Sequence, residues 1–121
     1  RYDRSDPDST NVVNQAINHA ATAVYAAARI AVAVTGTIPQ LGFIHESSGH
    51  AFALDIADLY RSNTTLPIAF RAAKRQEQRN GDIEGITRRM AGRTLRKKNV
   101  IPQMIDHIKE VLHGDDDRSD T

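Results

Sequence analysis

From Asn11 to Thr35 the chain runs without glycine or proline, and its polar positions follow a rule. Asn11, Asn14, Asn18, Thr22, Tyr25 and Arg29 recur at three- and four-residue intervals, so a helix aligns them as one stripe and leaves an Ala- and Val-rich face for packing. Ser9 or Thr10 suits the N-cap, and Gly36 suits the stop. A long central helix over 11–35 is therefore expected. Gly36 to Gly49, with Pro39 and Gly42, reads as a loop that delivers His45 to a second helix from about His50 to Arg61, which Ser62 and Asn63 break. Pro67 opens a third helix covering Ile68 to about Gln76. After the Asn80-Gly81 turn, Asp82 caps a fourth to about Lys98, weakened by Gly85 and Gly92, and an amphipathic fifth spans about Val100 to His113. No two-residue alternation is long enough for a strand, so the fold class is all-α, a long central helix with about four shorter ones. Residues 1–113 should form one helical domain, with GDDDRSDT at 114–121 an acidic disordered tail.

Within the second helix, Asp55 and Asp58 interrupt an apolar run from Ala51 to Tyr60. Such a run is expected to be largely buried, and a buried unpaired carboxylate costs several kcal/mol or stays protonated. Two carboxylates three residues apart stack on one helical face, so a positive group should lie between them. A metal ion with His45 as nitrogen ligand would serve, and so would Arg61, one turn beyond Asp58. An ordinary Asp58–Arg61 salt bridge, with Asp55 near the helix start and His45 a plain loop histidine, is the competing account.

Composition narrows the function classes. The chain of 121 residues has no cysteine, which excludes disulfide frameworks, thiolate zinc sites and cysteine nucleophiles and fits the cytoplasm. Arg29 and the polar stripe argue against a membrane span. With 16 Lys+Arg against 15 Asp+Glu the bulk charge is nearly balanced, but its distribution is not. Arg71, Lys74, Arg75, Arg79, Arg88, Arg89, Arg93, Arg96, Lys97 and Lys98 crowd one segment that holds only Glu77, Asp82 and Glu84 in opposition. Clustered cations of this kind form either a solvated helical face or a surface for nucleic-acid phosphates.

The string LGFIHESSGHAFALDIADLYR at 41–61 resembles the metal-site segment of the CRISPR adaptation integrase family, Cas-one. There a loop histidine precedes a helix carrying two aspartates, matching His45, Asp55 and Asp58 with the spacing intact. The opening Arg1-Tyr2-Asp3, the Asn14-Gln15 pair and Tyr25 are similar to the E-type subfamily of type I systems. The resemblance runs from residue 1 to about Ala73 and returns faintly around Val100 to Leu112. It implies a metal-dependent DNA endonuclease and integrase that inserts captured foreign DNA into the CRISPR array. His45 and Asp58 would be metal ligands for Mn²⁺ or Mg²⁺, and Asp55 would orient them or the attacking hydroxyl.

The resemblance also implies a third ligand, a glutamate upstream of the matched segment, and a β-rich amino-terminal domain, neither of which is in this sequence. With Arg1 rather than methionine at the start, the chain is expected to be a carboxy-terminal piece of a longer protein, its metal site incomplete unless a residue such as Glu46 completes it. The implied partners are double-stranded DNA, a second copy in a homodimer, and the Cas-two adaptation protein. Tyr2, Tyr25, Arg61, Arg88 and Arg89 are the candidate DNA contacts, and the polar stripe would line the site. Two rivals stand beside this reading. An HD-type phosphohydrolase needs an adjacent His-Asp pair, and the chain offers only His45-Glu46 and the reversed Asp106-His107. A non-catalytic helical module would bind only DNA or protein.

Overall fold

Pro7, whose ring presets a helical φ and lacks the N–H that a first turn leaves unpaired, opens helix α1 (Pro7–Thr35). The helix thus starts one turn earlier than expected, and Ser9 and Thr10 lie inside it rather than capping it. The computed structural model describes residues 7–36 and 46–119, with side chains over 11–36 and 49–112. The remaining helices are α2 (Glu46–Leu59), α3 (Leu66–Arg79), α4 (Ile83–Lys97) and α5 (Val100–Ser119), with a π-helical turn at Arg61–Thr65. The fold is all-α, and no strand occurs among the described residues.

The buried positions of α1, Val13, Ala16, Ala20, Val24, Ala27, Ala28, Ala31 and Thr35, complement the polar stripe, and α1 packs against all four other helices. Alanine at five of these positions lets the neighbouring helices approach α1 closely. Two cores result. Val13, Ala16 and Ala20 meet Ile68, Ala69 and Ala72 of α3 and Ile83, Ile86 and Met90 of α4. Val24, Ala27, Ala28 and Ala31 meet Ala53, Ile56 and Tyr60 of the α2 segment and Val100, Met104 and Ile108 of α5. Asn11–Thr35 has the length and hydropathy of a membrane-crossing helix, and here that apolar face forms the centre of the bundle.

The α2 segment departs from expectation. Only Ala53, Ile56 and Tyr60 of the apolar run are buried, while Leu54 is 50% and Leu59 60% exposed, and Asp55 and Asp58 face solvent. A surface helix buries one face whatever stands on the other, so these carboxylates are spared the cost that burial would impose. No compensating cation is required by desolvation.

Ser62 and Asn63 widen the helix instead of breaking it. The Thr64 and Thr65 N–H groups both donate to the Tyr60 carbonyl, at 2.9 and 3.0 Å, and the longer loop turns both threonines inward. Helix α3 then ends at Asn80, which takes the left-handed conformation at φ 50°. A Cβ at the following Gly81 would lie 2.7 Å from Ile86 Cδ1, so a larger residue there would have to displace that side chain. Asp82 caps α4 as expected, accepting from the Gly85 N–H at 3.1 Å, and the helix forms despite its two glycines. Asn99, also left-handed at φ 52°, turns the chain into α5. That helix continues to Ser119, through most of the segment expected to be a disordered tail.

Candidate functional site

An open cleft of about 340 Å³ separates α1 from α2 and the π turn. Helix α1 contributes Thr22 and Tyr25 from its polar stripe, α2 contributes Leu54 and Asp58, and the π turn contributes Arg61 and Thr65. The stripe is therefore solvent-facing and site-lining at once. Thr22 Oγ1 donates to the Asn18 carbonyl at 2.9 Å, so its proton is committed within the helix and its oxygen is left as an acceptor.

Of the residues singled out from sequence, Tyr25, Asp58 and Arg61 converge on this cleft. Asp55 stands one turn before Asp58 on α2 and is exposed, but it is not part of the lining. His45 and Tyr2 lie outside the described residues, as does the side chain of Glu46. Arg88 and Arg89 are exposed on α4, over the other core. No ion pair joins Asp58 to Arg61 among the described residues, so the salt-bridge account of the two aspartates is not the arrangement here.

His50 is the residue that sequence reading missed. Its Nδ1 shares a hydrogen bond with the Tyr25 hydroxyl across the α1–α2 interface, and the two rings meet edge to face at 5.7 Å and 78°. The Arg29 guanidinium lies 6.0 Å from the Tyr25 ring centroid on the same side of α1. The signal was available in the spacing, since His50, Leu54 and Asp58 stand at i, i+4 and i+8 and must share a helical face.

An exposed, unpaired carboxylate beside acceptor oxygens is chemistry that suits a hard divalent cation. The described donors alone are too few, because no group of three His, Asp or Glu side chains able to hold a metal occurs among the described residues. His45 is the sequence-nominated donor that would add to Asp58. The basic surface is all outward-facing: Arg71, Lys74, Arg75 and Arg79 on α3, and Arg88, Arg89, Arg93, Arg96 and Lys97 on α4. Arg88 is partly committed to Glu84, at 2.9 Å one turn before it.

This is a helical domain with a carboxylate-bearing cleft between α1, α2 and the π turn and a cationic surface on α3 and α4. The family model for the CRISPR-associated protein Cas1 matches residues 2–107, and the chain belongs to that family. It is 32% identical over 117 residues to CRISPR-associated endonuclease Cas1 1 of Rhodospirillum rubrum, covering 94% of this chain and 37% of that protein. It is 30% identical over 112 residues to CRISPR-associated endonuclease Cas1 of Escherichia coli, covering 93% and 36%. With CRISPR-associated endonuclease Cas1 of a Clostridium species it shares 40% identity over 84 residues, 69% and 27% of the two chains. The chain thus spans between about a quarter and little more than a third of the length of these relatives. No solved structure matches it.

Proposed function

We propose that this chain is the carboxy-terminal helical part of a metal-dependent DNA endonuclease and integrase of CRISPR adaptation, of the E-type subfamily, and that it is inactive by itself. The observation that carries the reading is the convergence of Asp58, Arg61 and Tyr25 on one cleft in a chain whose relatives are named endonucleases. In the complete protein His45 and Asp58, with a glutamate from outside this chain, would hold Mn²⁺ or Mg²⁺. The bound ion would polarise the scissile phosphate and favour ionisation of the attacking hydroxyl. Asp55, adjacent on the helix, orients this donor set.

The chemistry is displacement at phosphorus. A hydroxyl oxygen, from water in cleavage or from the 3′ end of captured DNA in integration, forms a new P–O bond as the bridging 3′ oxygen of the target strand leaves and takes up a proton. Arg61, which lines the cleft, contacts a phosphate entering it, while Arg88, Arg89 and their neighbours hold the duplex by its backbone without reading bases. Tyr2 and Tyr25 contact the DNA end. The working form is a homodimer joined by the Cas-two adaptation protein on double-stranded DNA in the cytoplasm.

In the full-length protein, Asp58→Ala and His45→Ala should each lower nuclease and integration rates by on the order of a thousandfold, about 4 kcal/mol of transition-state stabilisation, with duplex affinity largely kept. A folded Asp58→Ala protein with wild-type rates would refute the reading. Calorimetry on the present chain should find weak or no Mn²⁺ binding, and tight stoichiometric binding would show that a residue such as Glu46 completes the site.

A further inference from the structure

The geometry points to His50 as a positioning residue that turns the Tyr25 phenol into a hydrogen-bond acceptor for the hydroxyl attacking in the cleft. This rests on the function proposed above and adds a role that neither the sequence resemblance nor the relatives' names assign.

A phenol carries one proton and accepts through its lone pairs, and a neutral imidazole whose Nδ1 accepts must hold its own proton on Nε2. Tyr25 and His50 are joined through Nδ1, so in the Nε2–H tautomer, the one the proposal requires, the phenolic proton is committed to His50. What Tyr25 then offers the cleft is lone pairs only. Phosphate oxygens and the Asp58 carboxylate, both acceptors, gain nothing from that contact, whereas a hydroxyl donor does. The partner selected is a water or a sugar 3′-hydroxyl near Asp58, in the same cleft. Geometry holds the pair in place: the rings meet edge to face, and Arg29 stands over the phenol. Both residues sit on α-helices rather than loops, at positions fixed by the Val24 and Ala53 packing beside them.

Without His50, the phenol regains a free proton and can donate to a phosphate oxygen, which holds the DNA but leaves the hydroxyl unoriented. Loss of His50 should therefore act on turnover more than on binding. The test uses the full-length protein, joining a duplex with a 3′-hydroxyl end to a duplex acceptor. Tyr25→Phe and His50→Leu should each lower kcat roughly tenfold with KM for DNA within about twofold of wild type. The double variant should be no slower than either single one, because both remove the same contact. His50→Asn, whose side-chain oxygen can replace the Nδ1 acceptor, should recover most of the rate.

If Tyr25→Phe keeps full kcat while Asp58→Ala abolishes it, this inference falls and the function reading stands. If Asp58→Ala is fully active, the reading falls and takes this inference with it. Failure of His50→Asn to recover a rate that His50→Leu loses, both proteins folding as wild type, would make His50 a packing residue and overturn the proposal. The wild-type chain supplies a measurement free of folding questions: ¹⁵N shifts of His50 should report a proton on Nε2 and none on Nδ1. The opposite tautomer overturns the assignment.

Discussion

Around its first half α1 buries Val13, Ala16 and Ala20 against α3 and α4, and around its second half it buries Val24, Ala27, Ala28 and Ala31 against α2 and α5. The two halves use the same material to different ends. In the first, α3 and α4 also pack extensively on each other, closing a three-helix unit whose outer surface is left to arginine and lysine. In the second, both outer helices pack on α1 but α2 makes few contacts with α5, and they meet through side chains such as Tyr60 and His107, 6.3 Å between ring centroids. The cleft stays open between α1 on one side and α2 with the π turn on the other. A closed half can present charge only on its outside. An open half can present side chains from two helices toward a single point.

The largest effects should come from the two cores. Ile68→Ala in the closed half and Met104→Ala in the open half each empty a fully buried position and should cost roughly 2–5 kcal/mol in urea unfolding. Because one helix spans both halves, each variant should still unfold in a single transition. A second, separate transition in Met104→Ala alone would show that the open half melts independently and would break the view of α1 as a shared spine.

The surfaces are tested next, in the full-length protein. If the closed half binds DNA through phosphates, log affinity should fall with log salt at a slope of about 0.9 per neutralised phosphate, and Arg89→Ala should flatten it by about one unit, equally for unrelated sequences. Glu84→Gln, which frees Arg88 from its ion pair, should steepen the slope. Paired Arg88 and Arg89 replacements with no change in affinity or slope would reduce the basic surface to a solvated face.

How much of this was legible in the sequence differs between the halves in the same way. The closed half reads directly, since the Asn80-Gly81 turn and the Asp82 cap are local chemistry, and the predicted α4 ends within a residue of the observed one. The open half reads less well because its determinants are tertiary. A run from Ala51 to Tyr60 that looks fully apolar buries only the positions facing α1 and α5, a distinction that composition does not make. Ser62 and Asn63 look like a break, yet the backbone bonds to the Tyr60 carbonyl carry the helix through them as a π turn. Asp58 stands out as a carboxylate within an apolar run, Arg61 by its place one turn beyond it, and Tyr25 as part of the polar stripe that the resemblance turns into a site lining. His50 was not nominated, because its partner is 25 residues away in sequence.

The smallest effect tests the seam of the open half. Tyr60 is 5% exposed, and its hydroxyl has no hydrogen-bond partner among the described residues. Burial, with a smaller contribution from the Asp106 carboxylate, holds its pKa above the ordinary tyrosine value. Removing an unsatisfied buried hydroxyl while keeping the ring should be neutral or stabilising, so Tyr60→Phe should change stability by between zero and about +1 kcal/mol near pH 7. The sign with pH follows from the raised value. Above about pH 10 the unfolded chain releases this proton before the folded one does, so wild-type stability falls as pH rises toward the folded pKa. Tyr60→Phe lacks that loss, and its advantage should widen between neutral and strongly alkaline pH in paired urea titrations. A variant destabilised by more than 1 kcal/mol at pH 7 would mean that the hydroxyl is satisfied in solution, and that the α2–α5 seam is held by a polar contact rather than by ring packing alone.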